Sequence, residues 1–144
     1  MGKKRRSPDI PDRLFCDASF LVAYFAAQDE CHSRALSIRQ KLGSGKVVLV
    51  TSWPVVSEAG TLLLYHYGYS HAVALLRSLE AMTILTPSET EYHDAAAHFK
   101  DFNRDQKLSF NDLLSYVMIR GRLRDIPVLT FDKDFSKMDL TVFS

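Results

Sequence analysis

Four acidic side chains stand in stretches that are otherwise apolar. Asp17 lies in LFCDASFLVAYF, Glu58 in VVSEAGTLLL, Asp112 in SFNDLLSYV and Asp132 in VLTFDKDF. Glu58 follows Val55 by three residues and precedes Leu62 by four, a helical spacing that puts its carboxylate on an apolar stripe. Any one of these acids could serve as a cap or turn residue, as Asp commonly does. If they converge, two carboxylates about 4 Å apart repel by about 4 kcal/mol at an effective dielectric near 20, a large share of a domain's net stability. No Arg or Lys adjoins Asp17, Glu58 or Asp112, and Lys133 adjoins only Asp132. A divalent cation is the simpler partner. Hard oxygen donors without His or Cys suit Mg²⁺ or Mn²⁺ and leave open positions for phosphate oxygens. The implied chemistry is metal-assisted phosphodiester hydrolysis, with the acids placing the ion and the attacking water.

The elements that must position these acids can be read from the patterning. RLFCDASFLVAYFAA predicts a short strand and then a helix that Ser19 can cap. A second helix is expected from Cys31 to Leu42, ending at GSG. KVVLV reads as a strand buried on both faces, and TSWPVVSEAGTLLLYHYG as a helix opened by Thr51 or Ser52 with Pro54 in its first turn. YSHAVALLRSLEA predicts another capped helix, MTILT a strand, SETEYHDAAAHFKDFNRD and FNDLLSYVMIRGRL two more helices, and IPVLTF a strand, with LTVFS as a short last one. Apolar strands separated by helices imply an α/β fold, since parallel neighbours need long crossovers. Ligands in such folds bind outside the carboxyl ends of the strands, where Asp17 and Asp132 fall.

At 144 residues and 47% hydrophobic side chains, one domain with one core is expected, over residues 13–144. The formal charge is +1, but Lys3, Lys4, Arg5 and Arg6 contribute four of the 18 bases, leaving 14 against 17 acids, or −3. Residues 1–12, with Pro8 and Pro11, read as a flexible basic arm that either solubilises or adds affinity for nucleic acid. No stretch has the roughly 20 apolar residues of a membrane span, and the N-terminal residues lack a signal-peptide core, so the chain reads as cytoplasmic. Cys16 and Cys31 have neither CxxC nor zinc-ligand spacing and are expected as reduced thiols, Cys16 in the core.

The acids in this order, in DASFLVAYF, SWPVVSEAGTLL, LSFNDLLSYV and VLTFDKDF, make the chain resemble the PIN domain, especially the single-domain VapC-like toxins. The resemblance spans nearly the whole folded length. It implies a three-layer α/β/α sandwich with a central, mainly parallel sheet of four to five strands. It also implies an Mg²⁺- or Mn²⁺-dependent ribonuclease that cuts single-stranded or loop RNA, leaving 5′-phosphate and 3′-hydroxyl ends. Relatives are usually homodimers held inactive by a small antitoxin protein. Asp17, Glu58, Asp112 and Asp132 match the family's acidic quartet, as catalytic residues and metal ligands, and Ser19, Ser109 and Thr130 match hydroxyl positions beside it that orient carboxylates or waters. Asp134 is either a further metal ligand or an ordinary turn acid. The alternative reading is a PIN-fold module that binds RNA or protein without turnover. Ribonuclease H-like folds fit less well, because their first aspartate sits in a strand of an antiparallel meander, and haloacid-dehalogenase-like enzymes need a second Asp where Ser19 stands.

Other features carry less. The five histidines do not have zinc spacing. Tyr65, Tyr67 and Tyr69 in YHYGY could stack bases, pack, or form a dimer surface. Arg104, Lys107, Arg120, Arg122 and Arg124 flank Asp112 and either guide phosphates or form a solvated face.

Overall fold

The predicted apolar runs pair into one parallel sheet, seen in a computed structural model that describes residues 10–43 and 46–143. The basic run from Lys3 to Arg6 lies outside the described residues. The strands are β1 (Arg13–Cys16), β2 (Val48–Ser52), β3 (Thr83–Leu85), β4 (Val128–Leu129) and β5 (Val142–Phe143), in the order β3-β2-β1-β4-β5. Leu14 stands opposite Leu49 across β1 and β2, and Cys16 opposite Leu129 across β1 and β4. The chain runs outward from β1 to β3 and then returns to the other flank of β1. The order therefore reverses between β1 and β4, the position where open parallel sheets leave a crevice.

The helices are α1 (Ala18–Phe25), α2 (His32–Leu42), α3 (Trp53–His66), α4 (Tyr69–Arg77), α5 (Glu89–Phe102) and α6 (Phe110–Arg120), with short 3₁₀ turns at Leu79–Ala81 and Lys133–Met138. They cover the sheet as an α/β/α sandwich, α1 packing on α3 and α5 on α6. Phe15, Leu14, Leu63, Leu113, Met118, Leu129 and Phe135 form the fully buried centre.

Local chemistry explains the boundaries, and in three places it differs from the reading of the residues alone. Ser19 does not cap α1: Asp17 does, its carboxylate accepting the Ser19 N–H at 3.3 Å, and Ser19 lies inside the helix with its hydroxyl free for other partners. For α3 the cap is Ser52, accepting the Val55 N–H at 3.4 Å, while the Thr51 hydroxyl donates across the sheet to the Cys16 carbonyl at 2.8 Å. Helix α4 has no side-chain cap, because Gly68 precedes it at φ 108°, a turn that only glycine makes without strain. Nor is β2 buried throughout, since Val48 at the entry to the strand is exposed. Helix α5 opens with a full capping box between Ser88 and Glu91, and α6 with Ser109 accepting the Asp112 N–H at 3.0 Å.

Candidate functional site

Strand β1 ends at Cys16 and β4 at Leu129, so Asp17 and the Thr130–Asp132 segment emerge together at the carboxyl edge of adjacent strands. Asp17 is 4% exposed. Its Oδ2 accepts the Ser19 hydroxyl at 2.9 Å and the Thr130 hydroxyl at 2.9 Å. The two hydroxyls lie 3.0 Å apart. Each also ties down the β4 exit: the Phe131 N–H donates to the Ser19 oxygen at 2.9 Å and the Asp132 N–H to the Thr130 oxygen at 3.0 Å. A carboxylate so bonded has its orientation set, and burial nonetheless pushes its pKa above the ordinary value.

Asp132 caps the 3₁₀ turn, its Oδ1 accepting the Asp134 N–H at 2.9 Å. Helix α6 begins at the same edge, and its first turn carries Asp112, 8% exposed, inward. One carboxylate oxygen from each of Asp112, Asp132 and Asp134 lies within 4.8 Å of the others. Asp134 therefore belongs with the acids in space, although Lys137 also holds its Oδ1 at 2.8 Å. Glu58, half-buried on α3, accepts the Asn111 side-chain amide at 3.4 Å. The site thus draws on four segments: the end of β1, the end of β4, the body of α3 and the start of α6.

Electrostatics ties the acids together. Burial first, and then the charges of Asp17, Asp132 and Glu58, push the Asp112 carboxyl up to about 7. Glu58 is raised too, by burial and by Asp17 and Asp132. Among the described residues no Arg pairs with these acids, so this concentration of negative charge fits a bound cation, and a donor set made only of carboxylates and hydroxyls fits Mg²⁺ or Mn²⁺ better than zinc. No histidine joins the cluster among the described residues. Cys16 is no candidate nucleophile, because complete burial pushes its thiol up to about 12.

Of the residues predicted from sequence, Asp17, Ser19, Asp112, Thr130, Asp132 and Asp134 come together, with Glu58 on the adjoining helix and Ser109 acting as the α6 cap rather than reaching the cluster's hydroxyl network. Sequence reading missed Asn111 and Lys137. Asn111 meets Glu58 from 53 positions away, a separation no local pattern reveals; Lys137 was recoverable from its i,i+3 spacing to Asp134. Two of the basic residues near Asp112 in sequence turn elsewhere. Arg120 pairs with Asp125 at 3.1 Å and Arg122 with Glu91 at 2.9 Å, at the opposite end of α6.

The PIN domain family model matches residues 14–140. No curated protein matches the sequence. Among solved structures, VapC20 of Mycobacterium tuberculosis, described as a sarcin-ricin loop cleaving toxin, superposes with a TM-score of 0.80 at 26% identity, over 90% of this chain and 98% of its own. FitAcB of Neisseria gonorrhoeae gives 0.62 at 18% identity, over 91% and 96%. VapBC-5 of Mycobacterium tuberculosis, a member of the VapBC family of toxin–antitoxin systems, gives 0.56 at 20% identity, over 90% and 92%. The last two likenesses concern the fold alone.

Proposed function

The chain belongs to the PIN domain family, and from that membership we propose that it is a metal-dependent endoribonuclease, the toxin of a toxin–antitoxin pair acting in the cytoplasm. The observation that carries the reading is the convergence of Asp112, Asp132 and Asp134 within 4.8 Å, beside a buried Asp17 and a Glu58 close enough to raise Asp112. Asp17, Glu58, Asp112 and Asp132 are the metal ligands and catalytic acids in this reading, with Asp134 as a further ligand. Ser19 and Thr130 orient Asp17 through their hydroxyls, and Ser109 fixes Asp112 by capping the helix that carries it. The chemistry that Mg²⁺ or Mn²⁺ supplies when bound is activation of water and stabilisation of the leaving oxygen. The chain contributes the rest: a buried, pre-oriented carboxylate edge at the strand switch point, open toward solvent through the half-exposed Glu58, Asp132 and Asp134.

The substrate is single-stranded or loop RNA, a reading supported by the VapC20 likeness. A small antitoxin partner belongs to the same reading, supported by the likeness to VapC20, which is described as a toxin. A homodimer is supported by Trp53, Leu64 and Tyr65, which leave apolar area exposed along α3. The test is cleavage of a pool of single-stranded and structured RNAs with Mg²⁺, with Mn²⁺ and with chelator. Metal-dependent cutting lost in both Asp17→Asn and Asp112→Asn is expected. Cutting that survives both substitutions, or no cutting at any metal concentration, would favour a binding module without turnover.

A further inference from the structure

An acidic cluster repels the polyanion it is meant to cut, so a phosphate backbone needs cations beside the site as well as a metal in it. Three nearby bases are committed, while Lys133, beside Asp132, is exposed and, like Arg104 and Lys107, has no ion-pair partner among the described residues. Lys137 is held by Asp134 at 2.8 Å, and Arg120 and Arg122 are tied to acids at the far end of α6. Arg34 on α2 is different. It is exposed, it has no ion-pair partner among the described residues, and its guanidinium lies over the Phe131 ring at 5.1 Å. That ring packs on Phe20 at 6.0 Å on one side, and its backbone N–H is bonded to Ser19, which bonds Asp17. Arg34 is thereby fixed to the segment that carries two of the acids.

The same helix face continues the charge. Ser37 and Lys41 follow Arg34 by three and seven residues, on one side of α2, and Ser33, Arg34, Ser37, Ile38 and Lys41 line an open surface concavity. The seven-residue step separates the two cations by about 10 Å along the helix axis. Lys41, like Arg34, has no ion-pair partner among the described residues, and both are exposed. An arginine stacked on an aromatic ring keeps its N–H groups in one plane for bidentate contact with a phosphate, which a free lysine does not.

We propose that the Arg34–Ser37–Lys41 face of α2 is the track for the RNA backbone leading to the acidic site, with Phe131 as the positioning residue that holds Arg34. This inference rests on the ribonuclease reading above. It assigns the incoming strand a side: the backbone crosses Phe131 next to Asp132 and continues along α2.

The test is binding of a fluorescein-labelled single-stranded RNA, followed by anisotropy across a salt series, to a non-cutting Asp112→Asn parent and to the same protein carrying Arg34→Ala, Lys41→Ala, Arg34→Lys or Arg124→Gln. Each Ala substitution is expected to weaken binding several-fold and to flatten the salt slope by about 0.7, the value for one phosphate contact on a single strand. Arg34→Lys keeps the slope and loses part of the affinity, and Arg124→Gln, in the turn after α6, changes neither. In the cutting background, with Asp112 intact, Arg34→Ala raises KM and leaves kcat at saturating RNA unchanged. Unaltered affinity and slope for Arg34→Ala in a parent that binds RNA would overturn the track while leaving the enzyme in place, as would an equal loss from Arg124→Gln. A wild-type chain that neither binds nor cuts RNA would remove the ribonuclease reading and the track with it.

Discussion

Asp112→Asn should make the metal-free protein more stable, not less, and the gain should grow with pH. Asp112 is 8% exposed, and its carboxyl is held at about 7 in place of the ordinary 3.8, by burial and by three neighbouring acids. At about 1.36 kcal/mol for each tenfold change in proton affinity, that corresponds to roughly 4 kcal/mol of folding free energy once the group is ionised in both states. The sign follows from proton counting. Below the unfolded value the group is protonated in both states and contributes nothing. As pH rises from about 4 to about 7, the unfolded chain releases the proton while the folded chain keeps it, so unfolding becomes progressively easier; above about 7 the penalty is constant. Asparagine keeps the shape, and its backbone N–H keeps the Ser109 cap, but the ionisation is gone. With some relaxation of the other acids, the variant should exceed wild type at pH 8 by about 2 to 4 kcal/mol, and by visibly less at pH 5. The assay is urea unfolding followed by circular dichroism at both pH values in chelator, with matched slopes confirming a comparable transition. Excess Mg²⁺ should then stabilise wild type alone and narrow the gap, since only wild type keeps the full ligand set. A variant no more stable than wild type at pH 8, or a gap that does not widen with pH, would refute the picture of Asp112 as a buried acid strained by its neighbours.

Thr130→Val removes a donor to Asp17 and leaves the Asp132 N–H without its acceptor, so a loss of about 1 to 3 kcal/mol in unfolding free energy and weaker Mn²⁺ binding are expected, measured by thermal melts and by titration. Lys137→Gln releases Asp134 from its ion pair, and Mn²⁺ should bind several-fold more tightly, as read from the free-ion electron paramagnetic resonance signal; unchanged binding would take Asp134 out of the ligand set. Phe135→Ala, which empties a fully buried position within the 3₁₀ turn, should cost about 3 to 5 kcal/mol in denaturant unfolding.

What could be read from the residues follows the range of the interaction involved. Strand and helix periodicity is local, and it placed Asp17 and Asp132 at strand ends and Glu58 on an inward helical stripe. Ser19 shows where local rules mislead: a Ser near a helix start reads as a cap, yet the carboxylate two residues earlier takes that role and frees the hydroxyl to join Asp17, Thr130 and Phe131. Asp134 was ambiguous because VLTFDKDF says nothing of how the turn folds back; the Asp132 cap on its N–H brings the two carboxylates together. The Glu58–Asn111 contact joins α3 to α6 and could not be seen without the packing of those helices. Proximity in sequence leaves Arg120 and Arg122 as either phosphate guides or a solvated face; the fold puts them on the last turn of α6 and beyond it, where Asp125, Asp139 and Glu91 hold them. Nothing local marks Arg34, since only the fold sets it against Phe131.

Whether these carboxylates hold a divalent cation with which the chain cuts RNA is read from the cleavage rate of one labelled RNA against free Mn²⁺ concentration for wild type and for Asp112→Asn at equal concentration. Wild type should show a saturable rise that chelator abolishes, and the variant a rate that stays at the metal-free baseline across the range. A variant that saturates at the same Mn²⁺ concentration and the same rate as wild type would contradict that role for the carboxylates.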